Sequence, residues 1–214
     1  ETPVRPWVWG YVHPDHRRLG VGTALCEWLE ERGRGVFDRV PQDAKVVLQT
    51  LGQTLPRDSD EWSNQRQSWS MVCEFSDEGP PLEAPTWPED ITVTTLAVAR
   101  GSERSIYAAL DAAFEDHRGH IKESFETGYA NWKRWLDSDT THDPSLWFLA
   151  MDGDDIVGVS LCKGEAWGNA DKGYIHTLGV LREHRRKGVA TALLRHTFVQ
   201  FRNRGKKGVG LDVD

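Results

Sequence analysis

Two segments of the sequence combine basic side chains, glycine and a helix-favouring run in the spacing that phosphate recognition uses. His16-Arg17-Arg18-Leu19-Gly20-Val21-Gly22-Thr23-Ala24-Leu25 recurs at an offset of 168 residues as His184-Arg185-Arg186-Lys187-Gly188-Val189-Ala190-Thr191-Ala192-Leu193. The copies differ only at Leu19 against Lys187 and at Gly22 against Ala190. A helix start leaves N–H groups pointing outward, and the aligned peptide dipoles make that end partly positive. Glycine at 20 or 188 and a small residue at 22 or 190 let phosphate oxygens reach the backbone without meeting a Cβ. The flanking Arg and Lys side chains add charge. A pyrophosphate suits such a loop.

Taken once, a glycine-containing helix start with basic neighbours is usually only a turn and a cap. Repetition within one chain argues for a ligand, and the wide spacing argues for duplicated domains rather than a solenoid. His16 and His184 read as loop residues that cap or pack.

Each copy must be positioned by a strand before it and a helix after it. Val12 and Val180 end apolar stretches four residues ahead of the respective histidine. Tyr174 to Val180 is rich in aromatic and β-branched residues, and Gly179 is the position where a bulge could bend the strand. Val189, Leu193, Leu194, Phe198 and Phe201 fall on one side at helical spacing, Gly205 can end the helix, and Gly208 to Val213 reads as a further strand. The first copy repeats this order, with residues 8–12 extended, 21–31 helical and 45–49 extended. Ahead of the second copy, residues 91–97 read as a strand, 102–114 as a helix with Ser102 as N-cap, and 125–136 as a second helix. The apolar runs 147–151 and 156–162 flank Asp152-Gly153-Asp154-Asp155, a hairpin signal. Trp132 and Trp135 on the second helix read as packing residues, and Glu115 to His120 as a loop that could meet a cationic acceptor.

Composition narrows the field. The 38% hydrophobic and 28% charged content is that of a globular protein, with no apolar run near bilayer length and no basic, apolar leader at residues 1–10. The expected compartment is the cytoplasm. A net charge of −7 disfavours nonspecific nucleic-acid binding. No metal site is expected: Cys26, Cys73 and Cys162 lie far apart, and the acidic run at 152–155 is too tight to wrap a cation.

The proline-rich stretch around Pro80, Pro81, Pro85 and Pro88 reads as an extended linker, residues 79–90, between an N-terminal module, 1–78, and a C-terminal module, 91–214. Only fifteen residues precede His16, so the sequence is expected to start inside the first module and to stop before the last elements of the second.

At these loops the sequence resembles the GCN5-related N-acetyltransferase (GNAT) superfamily, whose signature is Arg or Gln, two residues, Gly, one residue, then Gly or Ala. The likeness spans roughly residues 91–214 and, less completely, 6–49, and is similar to tandem-domain members. It implies an α/β (α+β) fold of two modules, each a mixed, mostly antiparallel sheet flanked by helices. A bulged strand would precede the phosphate loop, and the first module would be incomplete. It implies acetyl-CoA as cofactor, held by Leu178, Gly179 and Val180 along the pantetheine arm and by Arg185, Arg186, Lys187, Gly188, Val189, Ala190 and Thr191 at the pyrophosphate. In the first module the counterparts are Val12, Arg17, Arg18, Leu19, Gly20, Val21, Gly22 and Thr23.

The implied reaction is direct attack of a small-molecule amine on the thioester, with the Val180 N–H on the oxyanion and His176 as general base. Glu165 is a weaker base, and no residue is assigned as general acid. The position matching His176 in the first module is Val8, so the second module is expected to carry turnover. A noncatalytic acetyl-CoA-binding role, and acetylation of protein N-termini or lysines, remain alternatives.

Overall fold

The computed structural model describes residues 7–8, 10, 12–35, 49–50, 69–76, 81–99, 103–117, 120 and 123–213. The chain divides into two compact units, Glu1–Gln65 and Arg66–Asp214. Among the described residues no helix is long and apolar enough to cross a membrane.

In the first unit, strand β1 (Trp7–Val8) pairs in parallel with β2 (Gln49–Thr50), in register Trp7↔Gln49 and Val8↔Thr50. Helix α1 (Val21–Arg34) lies between them in sequence. The rest of the strand expected over 45–49, residues 45–48, lies outside the described residues.

The second unit is built on a six-stranded sheet in the order β3-β8-β7-β6-β5-β4. Its elements are β3 (Trp69–Glu74), β4 (Ile91–Thr95), α2 (Glu103–Phe114), α3 (Phe125–Ser138), β5 (Trp147–Asp152), β6 (Asp155–Lys163), β7 (Lys172–Val180), α4 (Val189–Asn203) and β8 (Gly208–Val213). Every neighbouring pair is antiparallel except β7 and β8, which run parallel because α4 carries the chain across between them.

The hairpin forms between the two apolar runs at 152–155, with Asp152 paired to Asp155 and Gly153 at φ +58°. The Ser124 side chain caps α3 by accepting from the Thr127 N–H at 3.2 Å. The strand expected over 91–97 stops at Thr95, where the N–H groups of Val98 and Ala99 both turn back to the Thr95 carbonyl. Ser102 lies outside the described residues.

Two features differ from the expectation. Trp69–Glu74, read as part of the N-terminal segment, pairs residue for residue with β8, from Trp69↔Val213 to Glu74↔Gly208. The second compact unit therefore begins at Arg66, ahead of the proline-rich stretch, whose residues 81–88 carry no regular structure. The irregularity in β7 is not at Gly179, which pairs in register with Val159. Leu161 pairs with Thr177 and Cys162 with Ile175, so His176 is the extra residue. Gly179 lacks a side chain for a different reason: a Cβ there would meet Phe114 Cε2 at 2.9 Å and Ala113 Cβ at 3.2 Å.

The core has two layers. Phe148, Val157, Ile175, Val180, Val189, Leu193, Phe201 and Val209 fill the space between sheet and α4. Leu96, Ile106, Leu136, Trp147, Leu149, Val159 and Leu161 belong to a second buried cluster with residues of α2 and α3. Two hydroxyls inside satisfy one another: Ser160 Oγ and Thr197 Oγ1 lie 2.9 Å apart, and Thr197 also donates to the Leu193 carbonyl. Gly173 lets α4 approach, since a Cβ would come within 2.4 Å of the fully buried Phe201 ring. Gly173→Ala is therefore expected to lower stability by about 1–3 kcal/mol in urea unfolding, through overpacking. Adding Phe201→Leu should make the double variant less unstable than the sum of the singles.

Candidate functional site

The repeated sequence is a repeated backbone. Short 3-10 turns at Pro14–His16 and Arg182–His184 lead into Arg17 at φ −70°, ψ 152° and Arg185 at φ −68°, ψ 154°. Arg18 and Arg186 both take the left-handed conformation at φ 62°, followed by Gly20 at φ 79° and Gly188 at φ 93°. A left-handed arginine costs roughly 1–2 kcal/mol, and both loops carry one. Gly20 and Gly188 are the N-caps of α1 and α4, and neither helix start receives a side-chain cap. The first turns close with Ala24 N–H to Gly20 O at 3.0 Å and Ala192 N–H to Gly188 O at 2.9 Å. The N–H groups of Val21 to Thr23 and of Val189 to Thr191 thus have no acceptor within their helices. A Cβ at Gly188 would meet nothing within 4 Å, so the space before the helix end is open. Arg186, Lys187, Gly188, Ala190 and Thr191 are exposed around it, and Val189 turns into the core.

β7 and β8 part beside this loop. Their parallel ladder runs from Lys172↔Gly208 to Ile175↔Leu211 and ends, although β7 continues to Val180 and β8 to Val213. The Leu181 N–H bonds the Val157 carbonyl at 2.9 Å, which makes Val180↔Gly158 a non-hydrogen-bonded pair. The backbone N–H and C=O of Val180, and by alternation those of Leu178, therefore point away from β6 and into the gap. Gly179 faces β6 instead. The Val180 carbonyl is taken by Arg185 Nε at 3.1 Å, which leaves its N–H toward the gap.

His176 stands at the start of the gap, one residue past the last β7–β8 pair. Its ring stacks on Trp135 at 5.3 Å, and Nδ1 lies 2.9 Å from Thr177 Oγ1. Desolvation pushes its pKa below the ordinary value, the Lys163 charge pushes the same way, and Asp139 opposes. Lys163 is paired with Asp139 at 2.9 Å and lies over the Trp135 ring. In the first unit the matching Val8 is still paired, to Thr50. Glu165 is exposed on the loop after β6.

Arg185 does not face the open space. Nη1 and Nη2 grip Asp116 at 2.6 and 3.0 Å, Nη2 also donates to the Ala113 carbonyl at 2.8 Å, and Nε holds Val180 O. Arg182 adds a further bond to Asp116 at 3.1 Å. Here the structure departs from the reading of both basic residues as ligand-facing: the Arg185 guanidinium makes four hydrogen bonds that tie the C-terminal end of α2 to β7 and the loop. His184 packs as expected, with Nε2 3.2 Å from Asp152 Oδ2, although its buried Nδ1 has no hydrogen-bond partner among the described residues.

Residues 7–41 and 104–214 match the Acetyltransferase (GNAT) family. The chain belongs to that family. Mycothiol acetyltransferase of Thermobispora bispora is 29% identical to it over 212 residues, covering 95% of this chain and 65% of that protein. N-alpha-acetyltransferase 30 of Schizosaccharomyces pombe is 32% identical over 72 residues, 33% of this chain and 48% of that protein. A crystal structure of a GCN5-related N-acetyltransferase from Sphaerobacter thermophilus superposes with a TM-score of 0.72 at 35% identity, covering 99% of this chain and 64% of that one. The chain thus spans between about half and two thirds of the length of these relatives.

In this GNAT chain the second unit sets the loop 185–191 at one end of the gap, the gap-facing groups of Leu178 and Val180 along it, and His176 at its start. In the first unit Arg17, Arg18, Leu19, Gly20, Val21 and Thr23 are exposed, with Val12 and Gly22 partly covered. Sequence reasoning missed the Arg185–Asp116 clamp. The only signal was an acidic residue in the run 115–120, 69 positions away. The hydrogen bond from Arg185 is the main reason the Asp116 carboxyl sits well below the usual carboxylate range. A carboxyl with a lowered native pKa stabilises above its unfolded value, near 3.9, and loses that contribution as the pH falls toward the native value. Asp116→Asn should therefore lower Tm at pH 7, and the gap to wild type should close below about pH 4.

Proposed function

We propose that the second unit binds acetyl-CoA and transfers its acetyl group to the amine of a small molecule. The observation that carries this is the alignment of an uncapped helix start with the two strand residues whose polar groups face the gap. The backbone of Arg186 to Thr191 would hold the pyrophosphate, assisted by the Arg186 and Lys187 charges, because Gly188 leaves the approach open. Leu178 with its carbonyl, and Val180 with the N–H that remains to it beside the Arg185-held carbonyl, would pair with the pantetheine arm, with Gly179 keeping that segment close to α2. When bound, acetyl-CoA supplies a thioester from which the acetyl group passes to the amine nitrogen, CoA leaving as the thiol. His176 would take the proton that the amine loses, and the Leu178 N–H, nearer His176 along the strand than the Val180 N–H that the resemblance implies, would donate to the carbonyl oxygen.

The mycothiol acetyltransferase likeness, which runs along nearly all of this chain, favours a small-molecule acceptor over a protein N-terminus. The first unit would bind CoA at Arg17 to Thr23 without a base, since Val8 cannot move a proton.

CoA is expected to raise Tm in a thermal melt, by about 2.7 kcal/mol of added stability at a hundred times its Kd. Gly188→Glu should remove turnover by placing a carboxylate in the phosphate space, whereas Gly20→Glu should leave most of it. Turnover lost with Gly20→Glu and kept with Gly188→Glu would assign catalysis to the other unit. The base role has its own signature. His176 must be neutral to act, so the acidic limb of kcat/KM should fall below the ordinary histidine value near 6.5. Lys163→Met removes a repelling charge and should move that limb upward, and His176→Gln should abolish it with a roughly 10²–10⁴-fold loss of kcat.

A further inference from the structure

The face of the sheet at the mouth of the gap carries a run of four rings. Trp167 meets Tyr174 edge-on at 5.6 Å, Tyr174 meets His176 at 6.4 Å, and His176 stacks on Trp135. Trp167 is 53% exposed and occupies an unfavourable backbone. It sits at φ 49° and Gly168 at φ 77°, in a tight turn closed by reciprocal bonds between Ala166 and Asn169. A turn with two left-handed residues prefers Asn or Gly at its first central position, so a tryptophan there is present in spite of the turn chemistry. Gly210 on β8 makes room for it, since a Cβ would lie 2.5 Å from Trp167 Cη2.

Beside these rings lies Asp212, the first β8 residue past the last β7–β8 pair, as His176 is the first on β7. Its carboxylate accepts from Tyr174 Oη at 2.7 Å and from Ser70 Oγ at 2.5 Å. Both partners are neutral hydroxyls. Burial and the Asp212 bond raise the Tyr174 pKa, so the phenol stays protonated as donor. Three other carboxylates of this unit that make side-chain bonds have cations against them, Asp116 with Arg185, Asp139 with Lys163 and Asp171 with Lys207 at 2.6 Å, whereas Asp212 has none among the described residues. An anion held by hydroxyls next to exposed aromatic rings suits a cation supplied by a ligand.

We propose that this corner is the acceptor's recognition subsite, and that the acceptor is a primary amine bearing a second cationic group a few bonds away. The second cation sits on Asp212 and against the Trp167 and Tyr174 rings, while the reacting nitrogen, neutral when it attacks, lies toward His176. The inference rests on the proposed acetyl transfer and names its substrate class.

The test compares 1,4-diaminobutane with n-butylamine on the full-length protein, by acetyl transfer and by binding followed through tryptophan fluorescence. The diamine should be favoured in kcat/KM by tenfold or more. Asp212→Asn and Trp167→Ala should erase that preference through the diamine KM, with the KM for acetyl-CoA and the rate on n-butylamine unchanged. Equal use of both amines by the wild type, or an equal loss on both in Asp212→Asn, overturns the subsite. Diamine binding that is lost in both variants while no acetyl is transferred supports the subsite and overturns the transfer reading. Absence of diamine binding to the wild type at millimolar concentration overturns the subsite, whatever the enzyme does with CoA.

Discussion

β7 is paired on the β6 side from Tyr174 to its end at Val180 but on the β8 side only from Lys172 to Ile175, and the site follows from that inequality. A central strand with half a ladder has backbone donors and acceptors that must find partners elsewhere, because polar groups in a sheet interior are costly when unmet. The parallel pairing forces a helical crossover, and the crossover helix begins at the open end of the gap. Glycine at its N-cap and the absence of a side-chain cap leave that helix start unmet as well. Two sets of unsatisfied main-chain groups are thereby brought side by side by one topological choice, the parallel placement of β8.

Arg185 keeps that arrangement from relaxing. The extra residue at 176 and the early end of the β8 ladder both loosen the C-terminal half of β7, yet its last carbonyl is fastened to a guanidinium that is itself fastened to α2. The loop can therefore hold two left-handed residues and still present a fixed set of N–H groups. Sequence motif and structural duty part company here: one basic residue of the signature builds the cradle, and its neighbours Arg186 and Lys187 are left to face what enters it.

Much of this was legible in the sequence because it is local. The paired loops, the strand before each and the helix after each depend on contacts within a few residues, so glycine, apolar spacing and turn residues report them directly. The hairpin at 152–155 was legible for the same reason. The remainder depends on partners distant in the chain. The extra residue fell at His176 rather than Gly179 because register is set by β6, and Gly179 answers to Phe114 and Ala113 on α2. Asp116 showed itself only as an acidic residue in a loop, with nothing to name Arg185 as its partner, and the run 69–74 had no feature of its own to show that it would join β8 rather than the elements before it.

That last pairing bears on how the molecule can be taken apart. The proline-rich stretch looks like a natural place to cut, and a fragment beginning at residue 91 would retain the loop, the gap and His176. It would lose β3, and with it the partner of all six residues of β8 from Gly208 to Val213. β8 would become a bare edge strand, with a row of free N–H and C=O groups and Val209 and Leu211 to attract another chain. Such a fragment is placed to associate edge to edge, whereas one beginning at Arg66 brings its own edge strand with it.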